Sequence, residues 1–300
     1  MRIFLTGGTG YIGSAVVDAL VRGGHVVDAL VRNTEKAAQV RARGGRPVIG
    51  DLAKPASFAD ALAAANAVIL TAFEYSARGP QLDAAAIDVA LSHGRPGKLV
   101  IYTSGIWVLG PTPSPADESA PVNPIEHVAF RPTHERRVLD GADAGLRTIV
   151  VRPGVVYGSS SGIVGDLFKD AANGLVRIIG NGDNHWPLVY DRDLGDLYLR
   201  LVNHPDAAGV FHANDEGDER VNDIVAAIGE QTPIRPSIRR MPLAEAKQKL
   251  GTYAEALSLD QKLRSPRAHA IGWQPSLRSV AGNVPRLYEE WRRGKMVNSI

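Results

Sequence analysis

The sequence predicts an α/β fold, a doubly wound parallel sheet with helices on both faces and a smaller C-terminal substrate domain. Two features carry this. Short apolar runs alternate with amphipathic, Ala-rich stretches through the first half of the chain. A glycine-rich turn, "TGGTGYIG" at 6–13, stands where the first apolar run meets the first amphipathic stretch.

Taken in order, the strand-like runs are "RIFLTG", "HVVDALVR", "RPVIGDL", "NAVILTAF", "KLVIYTSG" and "TIVVRPGVVYG". Their near-continuous apolar character suits parallel strands buried on both faces. Between them the pattern predicts helices over "GSAVVDALVRGG", 34–43, 55–65, roughly 80–92 and about 132–144. Pro, Gly and Ser cluster at 110–124 ("GPTPSPADESAPVNP") and around 157–165, which reads as loops over strand ends. After residue 160 the rhythm loosens, with short helices at 165–173, 221–229 and 243–250. Residues 1–158 are therefore assigned to a dinucleotide-binding domain, with 186–203 returning to it. Residues 159–300 are mainly an interleaved substrate domain.

Bulk properties bound the function. Over 300 residues, 44% are apolar and 22% charged, ordinary for a soluble protein, and the net charge of +2 is too small to argue for nucleic acid. The absence of cysteine excludes disulfides and thiolate chemistry. No apolar run reaches membrane-spanning length and no targeting pattern opens the chain, so a cytoplasmic protein is expected. His25, His93, His134, His204, His212 and His269 show no ligand spacing with carboxylates, so no metal is expected.

Gly7, Gly10 and Gly13 have the spacing of a dinucleotide turn. The first permits the tight bend, the second lets backbone approach a pyrophosphate, and the third lets helix pack on strand. Tyr11 and Ile12, between the last two, belong to the same cofactor-binding turn. The second strand ends at Val31 and Arg32, without the carboxylate that would grip a ribose 2′-hydroxyl. A guanidinium there favours a 2′-phosphate and hence NADP(H). If Arg32 only stacks on adenine or is solvated, NAD(H) fits as well. Asp51 either accepts the adenine amino group or caps the helix near Pro55, while Leu52 packs the ring. Thr71, Ala72 and Phe73 end the fourth strand and line the cofactor crevice.

In order, "TGGTGYIG", "GDL", "YTSGIWVLG", "VVRPGVVYG", "VYDRDLGDLYL" and "AIGWQPS" resemble the extended short-chain dehydrogenase/reductase (NAD-dependent epimerase/dehydratase) family. The resemblance implies a Rossmann sheet, a nicotinamide cofactor and a small C-terminal substrate domain. It also implies a homodimer through the helices at roughly 80–92 and 132–144. Thr103, Pro153, Val155 and Val156 then fall beside the cofactor.

The family's chemistry uses a Ser or Thr after strand five and a Tyr-x-x-x-Lys pair on the next helix. Counting back from Gly110 puts the hydroxyl at Gly105, one residue after Ser104. Counting back from Glu135 puts the pair at His127 and Arg131. All three have changed, and the sequence resembles an atypical subgroup with His-x-x-x-Arg. Three readings compete. His127 could move a proton, with Arg131 holding the nicotinamide ribose and Ser104, Thr103 or a water replacing the lost hydroxyl. The site could instead be inactive, leaving an NADP-binding regulator, or His127 could fall there by chance. Pro132 disfavours helix at Arg131, pointing to a helix that starts at Thr133.

On the substrate side, Trp107, Tyr157, His185 and Trp186 are the candidate contacts. Trp186 offers a stacking surface beside a titratable ring, or is an ordinary buried Trp. Asp191 and Asp193 read as helix caps. Arg177 and Arg192 form no convincing diphosphate site. The expected function is hydride transfer to or from a small carbonyl or alcohol, with sugar-nucleotide epimerisation or dehydration as the alternative.

Overall fold

A computed structural model describes residues 1–233 and 235–297. The first half runs β1 (Arg2–Thr6), α1 (Tyr11–Arg22), β2 (Val26–Val31), α2 (Thr34–Ala42), β3 (Arg46–Ile49), α3 (Ala59–Ala64), β4 (Ala67–Leu70), α4 (Gly79–Ser92), β5 (Leu99–Thr103), α5 (Arg131–Asp140) and β6 (Arg147–Pro153). The second half begins with β7 (Val155–Tyr157), α6 (Gly162–Ala172), β8 (Leu175–Ile179), β9 (His185–Trp186), β10 (Leu188–Tyr190), α7 (Asp191–Asn203) and β11 (Gly209–Ala213). It continues with β12 (Glu219–Arg220), α8 (Val221–Gln231), β13 (Ser237–Met241), α9 (Leu243–Leu250), α10 (Tyr253–Ser258), α11 (Pro266–Ala270) and α12 (Val284–Val297).

Seven strands form one parallel sheet in the order β11-β6-β5-β4-β1-β2-β3. This is the Rossmann-type α/β fold. Alternate residues of each strand enter different cores: Ile3, Leu5 and Ile101 pack with α1 and α7, whereas Phe4, Val68 and Val100 pack with α3 to α5. The winding reverses between β1 and β4, so the crevice beyond their C-terminal ends is where such a sheet receives a ligand. The two ends are tied together there. Thr71 Oγ1 donates to the Thr6 carbonyl (2.6 Å), and the Ala72 N–H donates to Thr6 Oγ1 (3.2 Å).

The chain returns to this sheet over a longer stretch than 186–203. α7 lies on α1, where a Cβ at Gly195 would sit 2.6 Å from the Ala15 carbonyl oxygen, and β11 then adds an edge strand. The remainder builds a second core from α6, β7, β8, α8 and α12, with Phe168, Tyr157, Ile228 and Trp291 among its residues.

Four local expectations are corrected. The helix over 55–65 breaks at Phe58 (φ −136°, ψ −2°), leaving a 3-10 turn at Pro55–Ser57 before α3. The run at 148–158 splits at Gly154, and β7 leaves the main sheet to pair with β10. α5 starts at Arg131 with Pro132 in its first turn, where a missing N–H costs no helical bond. Asp191 and Asp193 cap nothing on α7. Asp191 accepts from Ser159 Oγ (2.6 Å), and Asp193 accepts the backbone N–H groups of Ser276 and Leu277 (2.8 and 3.2 Å).

Candidate active site

The glycine turn closes on itself. Gly7 adopts φ +79°, its carbonyl accepts the Gly10 N–H (2.8 Å), and a Cβ at position 13 would fall 2.1 Å from that carbonyl oxygen. Only glycine fits at 13. α1 opens at Tyr11 with no side-chain cap and no acidic residue in its first turn, so its first N–H groups are left for an anion. These features fit a dinucleotide pyrophosphate.

Farther along the crevice, Arg32 is exposed at the end of β2. Hydrogen bonds from Arg78 and Ser76, and then the charges of Arg78 and Arg32, hold the Glu74 carboxyl down to about 2. Arg78 binds Glu74 through Nε (2.7 Å) and Nη2 (3.1 Å), and feels Asp51 as well. Asp28 is buried and pairs with Arg2 across neighbouring strands β2 and β1, so it is unavailable to a ribose. Asp51 accepts the Ala53 N–H (2.9 Å) in a tight turn and does not cap the helix near Pro55. Leu52 packs half-buried against the sheet core.

A cavity of about 550 Å³ opens beside the glycine turn. Tyr11, Ile12 and Phe73 line it, together with Pro153, Val155 and Val156 as its floor and with Ser104, Gly105, Trp107, His127 and Arg131. His127 lies outside α5, in a 3-10 turn spanning Glu126–Val128, yet it meets Arg131 in this cavity. Its Nδ1 contacts Thr252 Oγ1 at 3.0 Å, and its ring lies 5.4 Å from Tyr253 and 6.1 Å from Trp107. Burial, and then the Arg131 charge, lower its pKa below the usual imidazole value. Both effects favour the neutral imidazole.

Arg131 donates through Nη1 to Tyr102 Oη (3.0 Å) and the Thr103 carbonyl (2.9 Å). Its guanidinium carbon lies over Phe73 (5.0 Å) and Phe130 (5.3 Å). Behind it, Tyr102 donates to Asp83 (2.6 Å), whose same oxygen meets His134 Nδ1 at 2.9 Å. This buried chain fixes the guanidinium at the cavity edge. Ser104 Oγ is buried without a partner among the described residues, which suits a hydroxyl waiting for a ligand. A Cβ at Gly105 would meet nothing within 4 Å, so the place of the family's hydroxyl is open space.

Four expected residues lie elsewhere. Thr103 turns its hydroxyl to Tyr198 Oη (2.6 Å), away from the cavity. Tyr157 is fully buried and donates to Asp215 (3.2 Å) and the Leu277 carbonyl (3.3 Å). His185 sits on Asp260 (2.8 Å), and Trp186 lines a separate cavity, because β9 pairs with β12 and carries both away from the cofactor floor. Conversely, Thr252, Tyr253, Ile163 and Asp166 come from the second core and had no motif to announce them. Burial, Asp166 and Tyr75 push the Tyr253 phenol up to about 12. Among the described residues no cluster of three His, Cys, Asp or Glu could hold a metal, and no helix is long and apolar enough to cross a membrane.

Residues 3–214 match the NAD dependent epimerase/dehydratase family. An uncharacterized protein of Schizosaccharomyces pombe is 32% identical over 92% of this chain and 95% of its own length. The 2-alkyl-3-oxoalkanoate reductase of Stenotrophomonas maltophilia is 31% identical over 76% of each chain. A human epimerase family protein solved with NADPH superposes with a TM-score of 0.75 at 21% identity, covering 96% of this chain and 99% of that one. The glycine turn, the uncapped α1 terminus and the Pro153–Val156 floor fit the nicotinamide dinucleotide that this family's name specifies. With the matched span covering the whole sheet, the chain belongs to the NAD-dependent epimerase/dehydratase family.

Proposed function

We propose that the chain is an oxidoreductase, NADPH-preferring, that interconverts a small carbonyl compound and its alcohol, with His127 as the proton-moving group. The observation that carries this reading is the convergence of His127, Arg131 and unpartnered Ser104 on the cavity beside the dinucleotide turn. The glycine turn and the Pro153–Val156 floor would hold a nicotinamide dinucleotide, which would supply the hydride for a carbonyl or take it up from an alcohol.

Thr252 occupies His127 Nδ1, so Nε2 is the nitrogen left to exchange a proton with the substrate oxygen. Reduction needs the imidazolium, whose proton passes to that oxygen; alcohol oxidation needs the neutral ring as base. Ser104, whose hydroxyl has no partner among the described residues, is assigned to hold the same oxygen. Arg131 stays charged and pairs with no carboxylate among the described residues, so it is suited to hydrogen-bond ribose while holding no proton to give. Trp107 and Tyr253 cover the imidazole and limit water.

The relatives' names point the same way, since one is a reductase of 2-alkyl-3-oxoalkanoates. A sugar nucleotide is disfavoured because Arg177 is tied to Asp170 (3.2 Å) and Arg192 reaches Glu290 (3.8 Å). The test is consumption of NADPH or NADH across a panel of ketones and aldehydes. Turnover supports the reading; tight NADPH binding with none across the panel overturns it in favour of a regulator.

Cofactor choice rests on Arg32. The variant Arg32→Ala is expected to weaken NADPH by about 10- to 100-fold, the worth of one charged hydrogen bond, and NADH far less. Fluorescence titration reads both, and equal losses would remove the NADPH preference.

A further inference from the structure

Past Tyr253 lies a second cavity of about 360 Å³, and Ile163, Asp166 and Tyr253 line both it and the first. Leu167, Ile178, Trp186, Met241 and Leu257 supply much of its remaining wall. The Trp186 indole N–H donates to the Leu257 carbonyl (3.1 Å), so its one polar atom is already satisfied. We propose that this second cavity receives an apolar tail, making the substrate a ketone or aldehyde that carries an extended aliphatic or aromatic chain.

Three observations argue for that occupant. The two cavities adjoin at Tyr253, whose ring lies 5.4 Å from His127, so a chain attached to a carbonyl at His127 reaches the second cavity over that ring. Of the three cations that line it, Lys169, Arg177 and Lys249, two are already matched, Arg177 with Asp170 (3.2 Å) and Lys249 with Glu245 (2.8 Å), and the Asp166 and Asp170 carboxylates in the same lining oppose a diphosphate. Most of the lining residues are apolar, so an aliphatic or aromatic tail is matched along most of its length, whereas a polar group buried against them unpaired is unfavourable. At the junction the Tyr253 phenol is pushed up to about 12 and adds no charge, while Asp166 places a carboxylate beside it that disfavours an anionic tail.

The tail assignment rests on the oxidoreductase reading for its reactive end, so the test separates the two. With NADPH and a series from 2-butanone to 2-undecanone, kcat/KM is expected to rise about three- to fourfold per methylene until the cavity fills. Met241→Trp, which fills the far side, should lower kcat/KM for 2-undecanone about tenfold more than for 2-butanone. Ile163→Trp, at the junction, should do the same should the first variant fail to fold. Calorimetric titration of 2-undecanone and 2-butanone without cofactor reads the cavity independently of turnover. Tight 2-undecanone binding that Met241→Trp or Ile163→Trp abolishes supports the tail site even where no ketone is reduced, an outcome that overturns the oxidoreductase reading alone. Binding and kcat/KM indifferent to chain length, or untouched by both variants, overturn the tail site.

Discussion

Replacing His127 by Ala is expected to lower kcat/KM for carbonyl reduction by about 10²- to 10⁴-fold while NADPH still binds. The imidazole is the group in the cavity whose ordinary range lies nearest neutrality, and burial and then Arg131 lower it from there. Arg131 beside it cannot release a proton, and the Tyr253 phenol is held up to about 12, too weak an acid to substitute well at pH 7. Steady-state kinetics with a fluorescence titration of NADPH separates chemistry from binding. Equal turnover by wild type and variant would remove His127 from the mechanism, and a further loss in Tyr253→Phe would transfer the role there.

The second large effect concerns stability. Glu135, whose spacing located the catalytic pair in the sequence, is buried against Arg152 with side chains only 4% and 5% exposed. Arg152 Nε donates to both carboxylate oxygens (3.0 and 3.2 Å) and Nη2 to one of them (2.6 Å). Glu135→Ala strands that guanidinium between α5 and β6, at an expected cost of about 3–5 kcal/mol. The melting temperature should fall by roughly 10 °C. A double variant, Glu135→Leu with Arg152→Met, should recover most of this, because the pair's own desolvation disappears with it. A single variant that melts like wild type would mean the pair carries no such strain of desolvation.

What the sequence disclosed follows from the range of the interactions involved. The strands and the glycine turn were legible because apolar runs and the 7, 10, 13 spacing act locally. The meeting of His127 with Arg131 was legible only through register with Glu135, and the structure reaches it by a different backbone: a 3-10 turn followed by a helix. Thr103 shows a signal that could have been used. Along β5 it is in phase with Leu99 and Ile101, which face α7, so its hydroxyl belongs with Tyr198 and not with the cofactor. Tyr102, in the opposite phase, anchors Arg131.

Other features were beyond local reading. Thr252 and Tyr253 reach His127 from 125 and 126 positions away, through the packing of α10 on the 110–130 loop region, and no motif marks them. Trp186 was recognisable as a stacking surface, but its cavity depends on β9 pairing with β12. Tyr157 lies one position beyond Val156, and that single step turns its ring from the cofactor floor into the second core.

The proton role of His127 is tested most directly by the pH dependence of kcat/KM for carbonyl reduction in wild type and His127→Ala. Burial and Arg131 lower the His127 pKa, so the proton-donating imidazolium is lost as pH rises through a value below the usual 6.5. Wild-type reduction should therefore climb as pH falls toward that point and level off below it, alcohol oxidation should show the opposite limb, and the variant should show neither. Superimposable profiles for wild type and variant would contradict the account.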